Sequence, residues 1–164
     1  MLIELFAKIE NALEINNCLT YPACYLRPEI DANMMEKLKE IIKKHKGTLA
    51  NSQDEADHII YPAIDEKKTE DWIRVVQKRD KDALIHYWYK PDSVDTWILN
   101  IDIDDPEPNE NGGVWHINAN WILDTAKFNE WMNQEDYEVE IDEVDQEVKL
   151  KKPAQARKVL EEVS

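Results

Sequence analysis

The sequence predicts an α/β protein: a parallel four-stranded sheet with flanking helices, interrupted by a small antiparallel β-unit. Three observations predict it. The run His58–Ile59–Ile60–Tyr61, closed by Pro62, is continuous and largely apolar, as strands buried on both faces of a parallel sheet are. It follows a strand–helix–strand pattern from Ala23 to Ala50, the order of a parallel crossover. Three aromatic-rich segments joined by tight polar turns then intervene, the pattern of an antiparallel meander, before a strand and helix resume at Val114.

Taken in order, Met1 to Asn16 reads as a helix, because Leu2, Leu5, Phe6, Ile9 and Leu13 recur at helical spacing on one stripe. A chain that opens directly on such a stripe is expected to be cut from a longer protein. Ala23 to Leu26 is a short strand ended by Arg27–Pro28. Asp31 then caps a helix whose apolar face carries Met34, Met35, Leu38, Ile41 and Ile42. Lys43 to Lys46 place positive charge at that helix's C-terminus, where the dipole favours it, and Gly47 is expected to stop it. Thr48 to Ala50 supplies the next strand.

Asp65 to Asp71 reads as a charged linker. Trp72 to Lys78, Leu84 to Tyr89 and Thr96 to Leu99 are the three meander strands, with turns at Asp80 to Asp82 and at Asp92–Ser93. Asp102 to Gly113 holds Pro106, Pro108, Gly112 and Gly113 and is expected to be a mobile acidic loop. Val114 to Ile117 is a strand, and Asn120 is expected to cap a helix that carries Trp121, Ile122, Phe128 and Trp131 and ends near Asn133. Glu135 to Glu147 alternates valines and Ile141 with acids and fits no single element. Pro153 opens a last helical stretch with Ala156, Val159, Leu160 and Val163 on one stripe.

Composition narrows the function. The 164 residues carry a formal charge of −15, from 35 acidic against 20 basic side chains. Nucleic-acid affinity rests on Lys and Arg neutralising phosphates, so direct DNA binding is not expected. Basic partners such as histone tails, or Lys/Arg-rich segments of neighbouring subunits, suit the surface better. With three glycines and neither GxGxxG nor GxxxxGK[ST], no glycine-rich phosphate loop is available. Cys18 and Cys24 lack a CxxC spacing and read as buried thiols, while His45, His58, His86 and His116 show no zinc-ligand spacing, so neither metal nor cofactor is expected. Asp102, Asp104 and Asp105 lack the DxDxDG calcium order, and no nucleophile–base pairing points to an enzyme. No apolar run reaches the roughly 18 residues of a membrane span and no leader segment is seen, so no membrane contact is expected.

The string Val114–Trp115–His116–Ile117, then Asn120–Trp121–Ile122–Leu123–Asp124 and the trailing Gln134–Glu135–Asp136–Tyr137, resembles the end of a BRCT domain. That family ends on a buried strand, a helix with a signature Trp, and an acidic pair followed by Tyr. About fifty residues stand where a BRCT domain has a short connecting helix, as an inserted domain would. They resemble a chromodomain, through Leu84–Ile85–His86–Tyr87–Trp88 and Asp92–Ser93–Val94–Asp95–Thr96–Trp97, which look like that family's strand, turn and Thr–Trp-ending strand. The nested order is similar to the N-terminal module of the SWI/SNF chromatin-remodelling core scaffold subunit family (the SMARCC or Moira type). Further strings carry that resemblance: Asn16 to Thr20, Leu38 to Thr48, His58 to Pro62, Pro91 to Trp97 and Trp121 to Val139. It spans roughly Asn11 to Val139; the family's SWIRM, SANT and coiled-coil parts are not in this sequence.

The resemblance implies five parts. Residues 1–18 would be a helix left from a winged-helix (MarR-like) element, 19–63 the first BRCT-like part, and 64–112 the chromodomain-like insert with its acidic loop. Residues 113–140 would be the second BRCT-like part, and 141–164 an acidic tail with a short helix. It implies a nuclear, non-catalytic interaction scaffold within a remodelling complex, contacting other subunits and acting in transcription regulation. The rival reading is a methyl-lysine histone-tail reader, because chromodomains hold a quaternary ammonium in an aromatic cage. The candidate rings are Trp72, Tyr87 and either Trp88 or Tyr89, with Lys90 near the third cage position. Adjacent rings at 87 and 88 alternate between faces of a strand, so both cannot line one cage. Phosphoserine reading is not expected, since Pro28 removes an amide donor from Leu26–Arg27–Pro28–Glu29 and Glu29 repels phosphate. Trp97, Trp121 and Tyr137 are assigned to the structural core.

Overall fold

The structure, a computed structural model, describes residues 1–65, 72–89, 92–106, 108–141 and 146–151, without the side chains of residues 72, 88, 89, 92 and 93. Its elements run α1 Leu2–Ile15, β1 Ala23–Leu26, α2 Ala32–Lys44, β2 Thr48–Leu49, β3 His58–Tyr61, β4 Trp72–Arg79, β5 Asp82–Tyr89, β6 Asp92–Ile98, β7 Trp115–Asn118, α3 Asn120–Phe128, β8 Val139–Ile141 and β9 Val148–Leu150. Strands β2, β1, β3 and β7 form one parallel sheet in that spatial order. The antiparallel meander β4–β5–β6 lies in the connection from β3 to β7, so the chain leaves the sheet, builds a second body and returns to the neighbouring position.

The sheet explains why His58–Tyr61 carries no alternation of polar and apolar residues. All four residues are buried, with Ile60 joining Cys24, Ile117, Leu38, Ile42, Trp121 and Ile122 under the two helices. Ile59 and Tyr61 join Val139 in a separate cluster, with Tyr25, Val114 and Val148 packed against it. Two apolar layers therefore flank one strand. The second layer comes from the β8–β9 ribbon, antiparallel between Val139–Ile141 and Val148–Leu150. The acidic stretch that matched no element is thus partly a sheet cover. Its lead-in also pairs with the edge strand β7, through the Ile117–Glu138 bridge and the Asn118 N–H donated to the Tyr137 carbonyl at 3.0 Å. This pairing occupies the outer edge of β7 at Ile117 and Asn118. The helix expected after Pro153 lies outside the described residues.

Local chemistry departs from expectation at four points. Gly47 is not the residue that turns the chain out of α2: Lys46 takes the left-handed conformation, at φ 67°. What requires glycine at 47 is space, because a Cβ there would stand 2.9 Å from Ile42 Cγ2 and 3.2 Å from the Trp131 ring. Asn120 does not cap α3 but begins it; its side chain donates to the Ile64 carbonyl at 2.8 Å, and its N–H donates to Asn118 Oδ1. Helix α3 stops at Phe128, with left-handed Asn129 (φ 55°) behind it, so Trp131 belongs to the following loop. Of the two cysteines, Cys24 is fully buried and its thiol is pushed up to about 12 by burial and by Asp57, whereas Cys18 is exposed.

The start of the acidic loop is also not free. Ile101 and Ile103 are buried with Ile73, Val75, Ala83 and Ile85, and Lys78 donates to the Ile103 carbonyl at 2.7 Å. In Ile101–Asp102–Ile103–Asp104 the alternation is that of an extended strand with one face inward.

Candidate interaction site

The meander has two faces because residues paired directly across an antiparallel ladder share one. Val75, Ile85 and Thr96 form one row, and Ile73, Tyr87 and Val94 the next row of the same face. That face holds the small core closed by Ile101 and Ile103. The opposite face is built differently: Arg74, His86 and Asp95 stand in a single row across β4, β5 and β6.

This charged row meets the short 3-10 turn Gln134–Asp136 of the parallel-sheet body. Arg74 Nη1 lies 2.5 Å from Glu135 Oε2, and Nη2 lies 3.7 Å from Asp136 Oδ1. His86 stands between two carboxylates, with Nδ1 2.5 Å from Asp95 Oδ1 and Nε2 2.8 Å from Asp136 Oδ1. Arg74, His86 and Asp136 are all buried. The seam is only partly satisfied by aligned hydrogen bonds: Arg74 Nε, His86 Nε2 and Asp136 Oδ1 have none, so the His86–Asp136 approach is an ion pair rather than a directed bond. Burial presses the His86 proton off, but the carboxylates of Asp136 and Asp95 outweigh it and hold the imidazole above its ordinary range.

Each residue of Gln134–Glu135–Asp136–Tyr137 has a physical task. Gln134 donates to His58 Nε2 at 3.1 Å, and His58 Nδ1 lies 2.5 Å from Asp57, with its ring stacked on Trp121 at 4.8 Å. Glu135 and Asp136 reach the meander. The Tyr137 hydroxyl donates to buried Asp124 on α3 at 2.7 Å. One short string ties the sheet, α3 and the meander together. Sequence reading marked it by resemblance alone; its partners Arg74 and His86 were missed, and their signal was two cations at inward positions of β-strands.

The assigned core residues divide. Trp121 has no exposed surface, donates from Nε1 to the Met132 carbonyl at 2.8 Å and stacks on Trp131 at 5.0 Å. Tyr137 is likewise buried. Trp97 is not core: it is 40% exposed on β6, with the Arg79 guanidinium 5.1 Å over its ring. A row of the meander left uncovered by the body keeps its aromatic ring wet.

Among the cage candidates, Trp72 is in register with Trp88, and Tyr87 with Ile73. Those rows are adjacent, so Trp72 and Tyr87 stand at positions on opposite faces of the ladder. Tyr87 packs against the small core of Ile73, Val75 and Ile85. Tyr89 pairs with Asp92 in the row after, and its side chain, like that of Trp72, lies outside the described residues.

A second feature is α1. Its polar side is attached to the body: Glu10 accepts from the Tyr21 hydroxyl and from Lys46 Nζ, which lowers the Glu10 pKa and raises that of Tyr21. Its apolar stripe is solvent-facing, with Leu2 69% and Phe6 64% exposed and Leu5, Ile9 and Leu13 exposed beside them. At the ends of β1 and β3, Arg27 is committed to Glu29 at 2.7 Å and lies over the Tyr61 ring, whose hydroxyl is hydrogen-bonded to His116 at 2.9 Å. Burial, and Arg27 nearby, lower the His116 pKa. Among the described residues no three His, Cys, Asp or Glu side chains gather as a metal site, and no helix is long and apolar enough to cross a membrane. No protein-family model matches the chain.

Proposed function

We propose that the chain is a non-catalytic protein-interaction scaffold module of a SWI/SNF-type chromatin-remodelling complex, acting in the nucleus. The observation that carries the interaction reading is the inverted seating of α1, which gives its acid to the body and its apolar stripe to solvent. Burying such a stripe against another subunit would return about 25 cal/mol for each Å² of apolar surface removed from water. The nested order, with a meander between adjacent parallel strands and the buried indole of Trp121 behind the last one, supports the family reading drawn from the sequence strings.

The test is a pull-down of purified remodelling-complex subunits with the 164-residue chain and its Leu5→Glu/Phe6→Glu variant. The parent chain is expected to retain a subunit, and the variant to lose about tenfold or more of that affinity with an unchanged circular dichroism spectrum. Equal retention by both chains, or none by either, defeats the proposal. Titration with lysine-methylated and unmethylated histone-tail peptides is the parallel measurement. Saturable methyl-dependent binding there would favour the reader instead.

A further inference from the structure

We propose that Arg74, His86 and Asp95 on the meander and Glu135 and Asp136 on the parallel-sheet body form a proton-dependent latch that holds the meander in place. An imidazole is a cation only when both nitrogens carry protons, and only then can it pair ionically with a carboxylate at each. His86 has Asp95 at 2.5 Å on one side and Asp136 at 2.8 Å on the other, so the protonated ring serves both parts at once. The neutral ring can serve one of them.

The charge count points the same way. The charged groups facing the seam are Arg74 from β4, Asp95 from β6, and Glu135 and Asp136 from the turn. With His86 protonated, two cations face three anions. Without that proton, Arg74 alone faces all three, and Asp136 keeps a cation at 3.7 Å only. A buried carboxylate whose partner is withdrawn is strongly destabilising, whereas the intact pair is close to neutral in energy. The seam also lacks aligned hydrogen bonds at three buried atoms, so directed bonds do not substitute for the lost charge.

The location gives this chemistry a conformational consequence. The body is closed by its own apolar core around Trp121, and the meander has a separate core of Ile73, Val75, Ala83, Ile85, Ile101 and Ile103. The meander's core is the smaller of the two, so losing the seam loosens the meander while the body's sheet stays closed. The sign follows from the raised His86 pKa. The latch is fully engaged at pH values below the ordinary histidine range and is lost as pH rises through the higher value of the folded state.

The experiment is nuclear magnetic resonance on the whole chain between pH 6 and pH 9. It follows the His86 ring carbons together with hydrogen exchange of the amides, corrected for intrinsic rate. Protection of β4, β5 and β6 amides is expected to fall about tenfold or more as His86 deprotonates, the scale of one broken buried ion pair, while β1 and β3 hold theirs. The Asp95→Asn variant, altered at a half-exposed position, is expected to move the midpoint of both curves to lower pH together. His86→Gln is expected to show the high-pH exchange pattern throughout the range. Meander protection that ignores the His86 titration, or a midpoint unmoved by Asp95→Asn, overturns the latch.

Discussion

The parallel-sheet body and the meander are of similar strand count, yet they are held by different physics. In the body, Trp121, Leu38, Ile42, Ile60, Ile117 and Ile122 are without exposed surface, and two helices and a ribbon cover both faces of β3. The meander buries one face against Ile101 and Ile103 and turns the row Arg74–His86–Asp95 toward the body. Apolar burial grows with area and needs no direction, so it closes the body tightly over a range of conditions. A charged seam depends on partners being present and in the right protonation state. The difference teaches that the body sets the stability of the molecule, and the seam sets where the meander sits.

Three substitutions break or sharpen that contrast. The largest effect is expected from Trp121→Ala, which removes the ring stacked between His58 and Trp131 and should cost about 3–5 kcal/mol of unfolding free energy in urea. A loss below about 1 kcal/mol would mean that the body is not organised around that indole. Next comes Tyr137→Phe. It leaves the buried Asp124 carboxylate without its 2.7 Å donor and is expected to cost about 1–3 kcal/mol, read in the protection of α3 amides. A change confined to the meander would contradict the assignment of Tyr137 to the body. The smallest effect is expected from Trp97→Ala, about 1 kcal/mol or less, because the ring is half in water beneath Arg79. A cost matching that of Trp121→Ala would restore Trp97 to the core.

The two perturbed histidines sharpen the contrast further, since their linkages have opposite sign. His86, raised by its carboxylates, gives up stability as pH rises. His116, lowered by burial and Arg27, gives it up as pH falls below the ordinary histidine range. The first change belongs to the seam and the second to the sheet.

Much of the architecture was legible in the sequence. The apolar run at His58–Tyr61, the helical face of Leu38, Ile41 and Ile42, and the first two strands of the meander appear where their periodicity places them, whereas the third begins at Asp92 and includes Asp92–Ser93, where a turn was expected. Less of the seam was legible. Arg74 and His86 look like ordinary polar positions of half-exposed strands, and their partners Glu135 and Asp136 stand far along the chain in an acidic stretch. Trp97 misled for a related reason. A large aromatic ring in a strand predicts burial, but among the described residues nothing covers this one fully, and it stays 40% exposed. Gly47 was expected at a helix stop for its backbone freedom, when the neighbouring Ile42 and Trp131 side chains demand the missing Cβ.

The sequence by itself determined the kind and order of the elements, because helix and strand periodicities repeat over a few neighbouring residues and can be read along the chain. Only the tertiary structure decided which face of each strand was covered, which acids met Arg74 and His86, and that the β8–β9 ribbon closed the second face of the sheet. Those outcomes depend on strand register and on the meeting of residues distant in sequence. A local pattern carries no record of which partner arrives.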